Sequence, residues 1–283
     1  MHKQMILDRL NNIQEVPTLL TIAAEVERLT QSQDSSAESI SRVIKLDPAL
    51  TGKVLKIANS AMYAGTQRII SLQQAISRLG YAEIRRITLT IAFLNSFKSV
   101  YVDYQRFWIH SITTAFLATN LEKLTGREVS SDRLFTCGIL HDIGVLIFDQ
   151  YFSELYKKVF TLSSSKQYQL EYVEDKALGI NHAEVGAFLL KKWKLPEQII
   201  DVIEYHHHPQ DAKVSVHDAK IIYLANFISN NRGIDNGTGY FPEGFYDDIF
   251  AELNLNIDAM PDLIAQVESE VEKAMQILKF GGK

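Results

Sequence analysis

Apolar residues in this chain recur every three or four positions, stretch after stretch, and nowhere in a sustained alternation of two. A half-buried strand needs the period-two pattern, whereas a helix lying on a core needs the other. The rhythm is punctuated by helix-start chemistry. "SSAESISRVI" reads as a capping box from Ser35 to Glu38, followed by Ile40, Val43 and Ile44 on one face. "SLQQAISRLG" repeats the device, with Ser71 as the cap, Gln74 three residues on and Gly80 as the stop. "YAEIRRITLTIAFLNSF" continues as another helix despite its β-branched residues. A longer helix is expected over 104–125, with Phe107, Trp108, Ile112, Phe116 and Leu124 in the core and Gly126 as its end. Residues 131–149 read as one buried helix. Asn181, with Glu184 three residues later, opens a helix to 193, and Pro196 suits the first position of a helix reaching Tyr205. Helices over 215–230 and 261–279 complete the pattern, the last with Leu263, Ile264, Val267, Val271 and Leu278 on one face. The expected fold is all-α.

The least regular segments are 97–104, 161–168 and 232–244. The first marks a boundary between an N-terminal helical lobe, 1–97, and a second helical lobe with a C-terminal helix, 98–283. No low-complexity linker separates them, so the lobes are expected to pack together. Apolar residues make up 46% of 283, enough for a sizeable core. The net charge is −5 and Lys and Arg form no long block, which argues against nucleic acid as a partner. A single cysteine, Cys137, excludes an internal disulfide framework. "MHKQMILDRLNNIQ" lacks the pattern of a signal peptide, and no apolar run approaches ~18 residues. A soluble, cytoplasmic chain with no membrane partner is expected.

"GILHDIGVLI" places His141 directly before Asp142 inside an apolar run. His110 lies on the preceding helix, His182 opens a later one, and His206 and His207 close the helix after that. Imidazole and carboxylate are good ligands for Zn, Mn, Fe and Ni. Helical neighbours point about 100° apart, so His141 and Asp142 can share one ion only over the helix edge. Each residue also has a plainer explanation. A lone buried histidine is commonly just hydrogen-bonded, and the helix dipole accounts for a histidine at a C-terminus, as at His206, His207 and His208.

Their joint order resembles the HD superfamily of metal-dependent phosphohydrolases. More closely, the chain resembles HDOD proteins, the HD-related output domains of bacterial signalling proteins. The stretches that carry the likeness are "VPTLLTIAAEVERLTQSQDSSAESISRVIKLDPALTGKVLKIANSAMY", "SLQQAISRLGYAEIRRITL", and "FWIHSITTAFLATNLEK" leading to "LFTCGILHDIGVLI". "NHAEVGAFLLKKWKLPEQIIDVIEYHH" is similar to a stretch of the related HD-GYP phosphodiesterases. The resemblance implies one or two divalent transition ions: Fe, Mn, Ni or Zn. His110, His141 and Asp142 would hold one. His182 and His206, with Asp142 bridging, would hold a second, and His207 would lie in the outer part of the site. The superfamily's final aspartate falls at Asn226 in "LANFIS", a neutral candidate ligand.

Three further departures bear on catalysis. Val145 stands where active HD-GYP enzymes carry a lysine, "HSITTA" lacks their arginine, and Arg106 stands where some carry a glutamate. "DNGTGYFP", 235–242, mimics the Gly-Tyr-Pro signature in the wrong order and reads as a turn-rich loop. The resemblance thus implies a bacterial signal-transduction module with a degenerate metal site, acting by binding a signalling protein or a small nucleotide ligand. The alternative is a metal-dependent phosphohydrolase acting on a nucleotide or phosphoester. A third reading is a scaffold whose histidines are only hydrogen-bonded.

Overall fold

The computed structural model describes residues 2–13, 18–30, 32, 35–60, 63, 67–127, 131–237, 248–268 and 271. Among them are fourteen α-helices and no strand, so the fold is all-α. None of these helices is long and apolar enough to cross a membrane. The described residues fall into two compact units, one drawn from Glu15–Phe97 and the other from Met1–Gln14 with Lys98–Val271.

Helix α1, His2–Asn11, belongs to the larger unit. The N-terminal lobe expected over 1–97 includes it, so that boundary does not hold for α1. Its C-terminal carbonyls explain the placement: Lys192 Nζ donates to Leu10, Asn11 and Ile13 oxygens at 3.2, 2.6 and 2.7 Å. Lys3 also pairs with Glu184 at 3.0 Å.

The smaller unit holds α2 (Thr18–Thr30), α3 (Ala37–Ile44), α4 (Pro48–Ala58) and α5 (Leu72–Ser96). Its core is aliphatic, with Val26, Ile40, Ile44, Val54, Ile76 and Ile84 all buried. The capping box of α3 sits one residue later than expected: Ser36 is the cap and Ser39 its partner. Ser71 caps α5, accepting from the Gln74 N–H at 3.2 Å. Gly80, at φ 81°, takes the backbone out of helix, so α5 is two helical stretches joined at a kink.

The larger unit continues with α6 (Tyr104–Leu124), α7 (Ser131–Leu140), α8 (Ile143–Tyr151), α9 (Ser153–Lys166), α10 (Leu170–Leu178), α11 (His182–Lys192), α12 (Glu197–Tyr205), α13 (Val216–Asn231) and α14 (Ile249–Glu252). Residues 260–268 are helical as well; the rest of the helix expected over 261–279 lies outside the described residues, apart from Val271. Two expectations need correction. The segment 161–168 is mostly the end of α9, which stops at Gln167 in the left-handed region. The single helix expected over 131–149 is broken at His141–Asp142. There the His141 Nδ1–H turns back to the Gly138 carbonyl at 2.9 Å, and Asp142 takes φ −97° and ψ 11°.

Two glycines set how closely the helices of this unit approach. A Cβ on Gly138 would lie 2.4 Å from Ala115 Cα, so α7 packs backbone to backbone on α6. A Cβ on Gly144 would lie 1.9 Å from the His182 carbonyl oxygen, which brings α8 against the start of α11. The N-terminus of α11 is fixed by a reciprocal cap: Asn181 Oδ1 accepts from the Glu184 N–H at 2.9 Å, and Glu184 Oε2 accepts from the Asn181 N–H at 3.2 Å. Asn181→Ala is expected to cost about 1 kcal/mol, the usual value of such a cap, in a denaturant titration. A loss below a few tenths would show that the cap does not hold this helix start.

Candidate metal centre

Four elements deliver imidazoles to one point. His110 projects from the middle of α6, His141 from the break after α7, His182 from the first position of α11, and His206 from the C-cap of α12. All four are buried, as is Asp142, at the centre of the group. The Nε2 atoms of His141 and His110 lie 3.2 and 3.4 Å from Asp142 Oδ2. Those of His182 and His206 lie 3.3 and 3.5 Å from Oδ1. His207 sits at the rim, with Nε2 2.8 Å from His182 Nε2 and its side chain 25% exposed. The break at Asp142 lets neighbouring residues address one centre, which a continuous helix would have opposed.

The opposite ring nitrogens fix the tautomers. A carbonyl oxygen can only accept, so a ring nitrogen bonded to it carries the proton. Nδ1–H of His110 donates to the Ile234 carbonyl at 2.7 Å, that of His141 to Gly138 at 2.9 Å, and that of His206 to Ile203 at 2.7 Å. Nδ1–H of His182 donates to the Glu174 carboxylate at 2.6 Å. Each Nε2 is then turned inward, toward Asp142. His206 Nε2 is buried with no hydrogen-bond partner, and the His110 and His141 Nε2 atoms face each other at 3.1 Å. Two bare lone pairs at that separation repel unless a proton or a cation lies between them. Outer acceptors that orient histidines while their other nitrogens converge are the usual second layer of a metal site.

The electrostatics agree. Burial alone would raise the Asp142 carboxyl, but His141, His110 and His182 hold it well below the usual carboxylate range. Burial pushes His141 down. Burial also opposes charge on His182, yet Glu174 and Asp142 together raise it well above an ordinary histidine. His207 is pushed well down, first by burial and then by His206. The donors form two sets sharing Asp142, one with His110 and His141 and the other with His182, His206 and His207, and each set could hold a metal ion.

The sequence reading missed two carboxylates. Glu174 on α10 accepts from His182 Nδ1–H, from the His182 backbone N–H at 2.8 Å and from the Tyr156 hydroxyl at 2.6 Å. Glu171, one turn earlier, pairs with His208 at 3.1 Å at the rim. Asn236 was missed as well: its Nδ2–H donates to Asp142 Oδ2 at 2.7 Å. Asn226, the expected final ligand, instead accepts from Asn230 Nδ2 at 2.9 Å. Arg106 is committed to Asp235 at 2.6 Å. Of the "DNGTGYFP" stretch, Asp235 to Gly237 form a turn closed by the Gly237 N–H on Asp235 Oδ1, and 238–242 lie outside the described residues.

The chain matches the profile of the HDOD domain over residues 16–209. A Geobacter sulfurreducens structure, an HDOD domain protein of unknown function, superposes with a TM-score of 0.80 at 22% identity and covers 99% of this chain and 98% of its own. A Shewanella amazonensis structure described as a candidate phosphohydrolase gives 0.76 at 22%, covering 99% of both chains. A Marinobacter aquaeolei structure described as a candidate signal transduction protein gives 0.80 at 22%, covering 97% of this chain and 60% of its own. A Treponema pallidum protein, described as uncharacterized, is 26% identical over 203 residues, 72% of this chain. The match spans only 39% of that relative's length. At these identities the solved structures establish a shared fold.

Proposed function

This chain belongs to the HDOD family, and from that premise we propose that it is a signal-transduction module built around a His/Asp metal centre, acting by binding a partner protein or a small nucleotide ligand. The observation that carries the reading is the convergence of four buried imidazole Nε2 atoms on one carboxylate. Such a set fits a first-row transition ion, Fe, Mn, Ni or Zn, and Asp142, common to both donor groups, would be shared if two were held. When bound, the ion would supply Lewis acidity and fixed positive charge. Among the described residues, the positions where the resemblance would place phosphate-holding cations supply little. Val145, where a lysine would serve, is wholly buried, and Arg106 is neutralised by Asp235.

The shared carboxylate favours a second reading, metal-dependent phosphoester hydrolysis, because two ions bridged by one group are a recurring arrangement for that reaction. The Marinobacter and Shewanella neighbours are described in these two ways. One experiment separates the readings: metal-loaded protein is assayed with bis(p-nitrophenyl) phosphate and with nucleotides, alongside thermal melts in the same nucleotides. The regulatory reading expects a ligand-dependent rise in Tm with no turnover above that of the free ion. Turnover lost on replacing Asp142 would overturn it in favour of the enzyme.

Proton release offers a further check. In the metal-free protein His182 is raised, so it keeps its proton up to a higher pH than an ordinary histidine. An ion needs the bare nitrogen, so binding must expel that proton. Apparent affinity is therefore expected to fall about tenfold per pH unit for each proton displaced, as pH drops below the raised value. Calorimetry in buffers of different ionisation enthalpy measures the release. A pH-independent affinity with no proton released would exclude His182 from the site.

A further inference from the structure

A short strap reaches the centre from beyond α13. Its first residue, Ile234, gives its carbonyl to His110 Nδ1–H and to the Ser229 hydroxyl, at 2.7 and 2.8 Å. Its second, Asp235, is pinned by Arg106 at 2.6 Å. Its third, Asn236, is thereby held over the HD pair, and its carboxamide meets Asp142 Oδ2 at 2.7 Å. This is the oxygen that faces His110 and His141.

We infer that Asn236 completes the ion site formed by His110, His141 and Asp142. Without an ion, its amide N–H satisfies the carboxylate. With one, half a turn about the terminal side-chain bond presents the amide oxygen instead. The rotation exchanges donor for acceptor in nearly the same volume, because the two ends of a carboxamide have the same shape. A neutral amide oxygen is an acceptable ligand for the ions that imidazole and carboxylate select. Asn226 has no such position shown: its Oδ1 is taken by Asn230. The strap is thus a sensor of occupancy, since Asn236 bonds to Asp142 in one state and to the ion in the other. It also assigns a role to the Arg106–Asp235 pair, which sets the strap's register.

The inference rests on the metal-centre reading, and its test separates the two. Metal-free wild type, Asn236→Asp, Asn236→Ala and Asn226→Asp are titrated with Zn²⁺ by calorimetry, and their melting temperatures are compared before and after loading. Asn236→Asp is expected to tighten Zn²⁺ about tenfold or more and Asn236→Ala to weaken it about tenfold, the low end of what supporting residues contribute. Asn226→Asp is expected to leave affinity within about twofold, as for a residue outside the ligand shell. Asn236→Asp should also melt lower than wild type when metal-free, because two carboxylates then face each other, and should gain more on loading. If wild type binds and both Asn236 variants match it, the inference falls while the metal centre stands. Tightening by Asn226→Asp alone would likewise overturn it and restore Asn226 as the ligand. If wild type takes up no Zn²⁺, the metal reading and this inference fall together.

Discussion

Asp142→Asn is expected to weaken metal binding by more than about 100-fold, the upper end of what even an outer partner of a ligand contributes. Asp142 faces four imidazole nitrogens at 3.2–3.5 Å and is the member common to both donor sets. Asparagine keeps its shape and one acceptor oxygen but removes the charge that offsets a dication. The rise in Tm at a given metal concentration should shrink with the affinity, since stabilisation by a ligand scales with the logarithm of its concentration over Kd. The metal-free variant should also change its response to acid. The Asp142 carboxyl is held low in the fold, so its contribution is present above the unfolded value near 3.9 and is lost as pH falls through the lower folded value. The variant lacks that contribution at neutral pH and should show a flatter acid limb. Paired melts from pH 3 to 7, with and without Zn²⁺, measure both effects. Undiminished affinity in the variant would remove Asp142 from the centre.

Gly144→Ala is expected to cost more than about 3 kcal/mol, beyond the usual range for an overpacked methyl, because the clash is with backbone. The added Cβ would sit 1.9 Å from the His182 carbonyl oxygen and 2.7 Å from its carbon, neither of which can rotate away. Helices α8 and α11 would have to separate, carrying His182 away from Asp142. Stability and metal affinity should therefore fall together. Gly52 is the control: it lies within α4, nothing stands within 4 Å of a Cβ there, and alanine should be neutral or stabilising by up to about 1 kcal/mol. Denaturant titrations of both variants give the comparison. Equal, small effects would mean that the α8–α11 contact is not as close as the structure has it.

Much of this architecture is written in local signals. Asn181 with Glu184, Ser71 with Gln74, and Gly126 after α6 are read from sequence because a cap is satisfied within four residues. The histidines and Asp142 are legible through their joint order, which resembles the HD superfamily; each alone has a plainer explanation. The break at the HD pair is not, since "GILHDIGVLI" is apolar on both sides and only the His141–Gly138 bond reveals the turn. Glu171 and Glu174 escape notice for the opposite reason. On α10 they look like ordinary solvent-facing charges, and only the partners that α11 and the His206–His208 turn supply bury them. Asn226 was reached by alignment along one helix, whereas Asn236 arrives from a strap whose position depends on Arg106, 129 residues earlier.

Whether the centre holds metal separates a metal site from a hydrogen-bonded core. Elemental analysis of untagged protein, purified without chelator and then reconstituted, tests this directly. The prediction is roughly one to two equivalents of a first-row transition ion, retained through gel filtration, as expected of a set of ligands already converged in the fold. Less than about a tenth of an equivalent after reconstitution, far below the occupancy such a set should reach, would contradict it and leave the histidines as a hydrogen-bonded core.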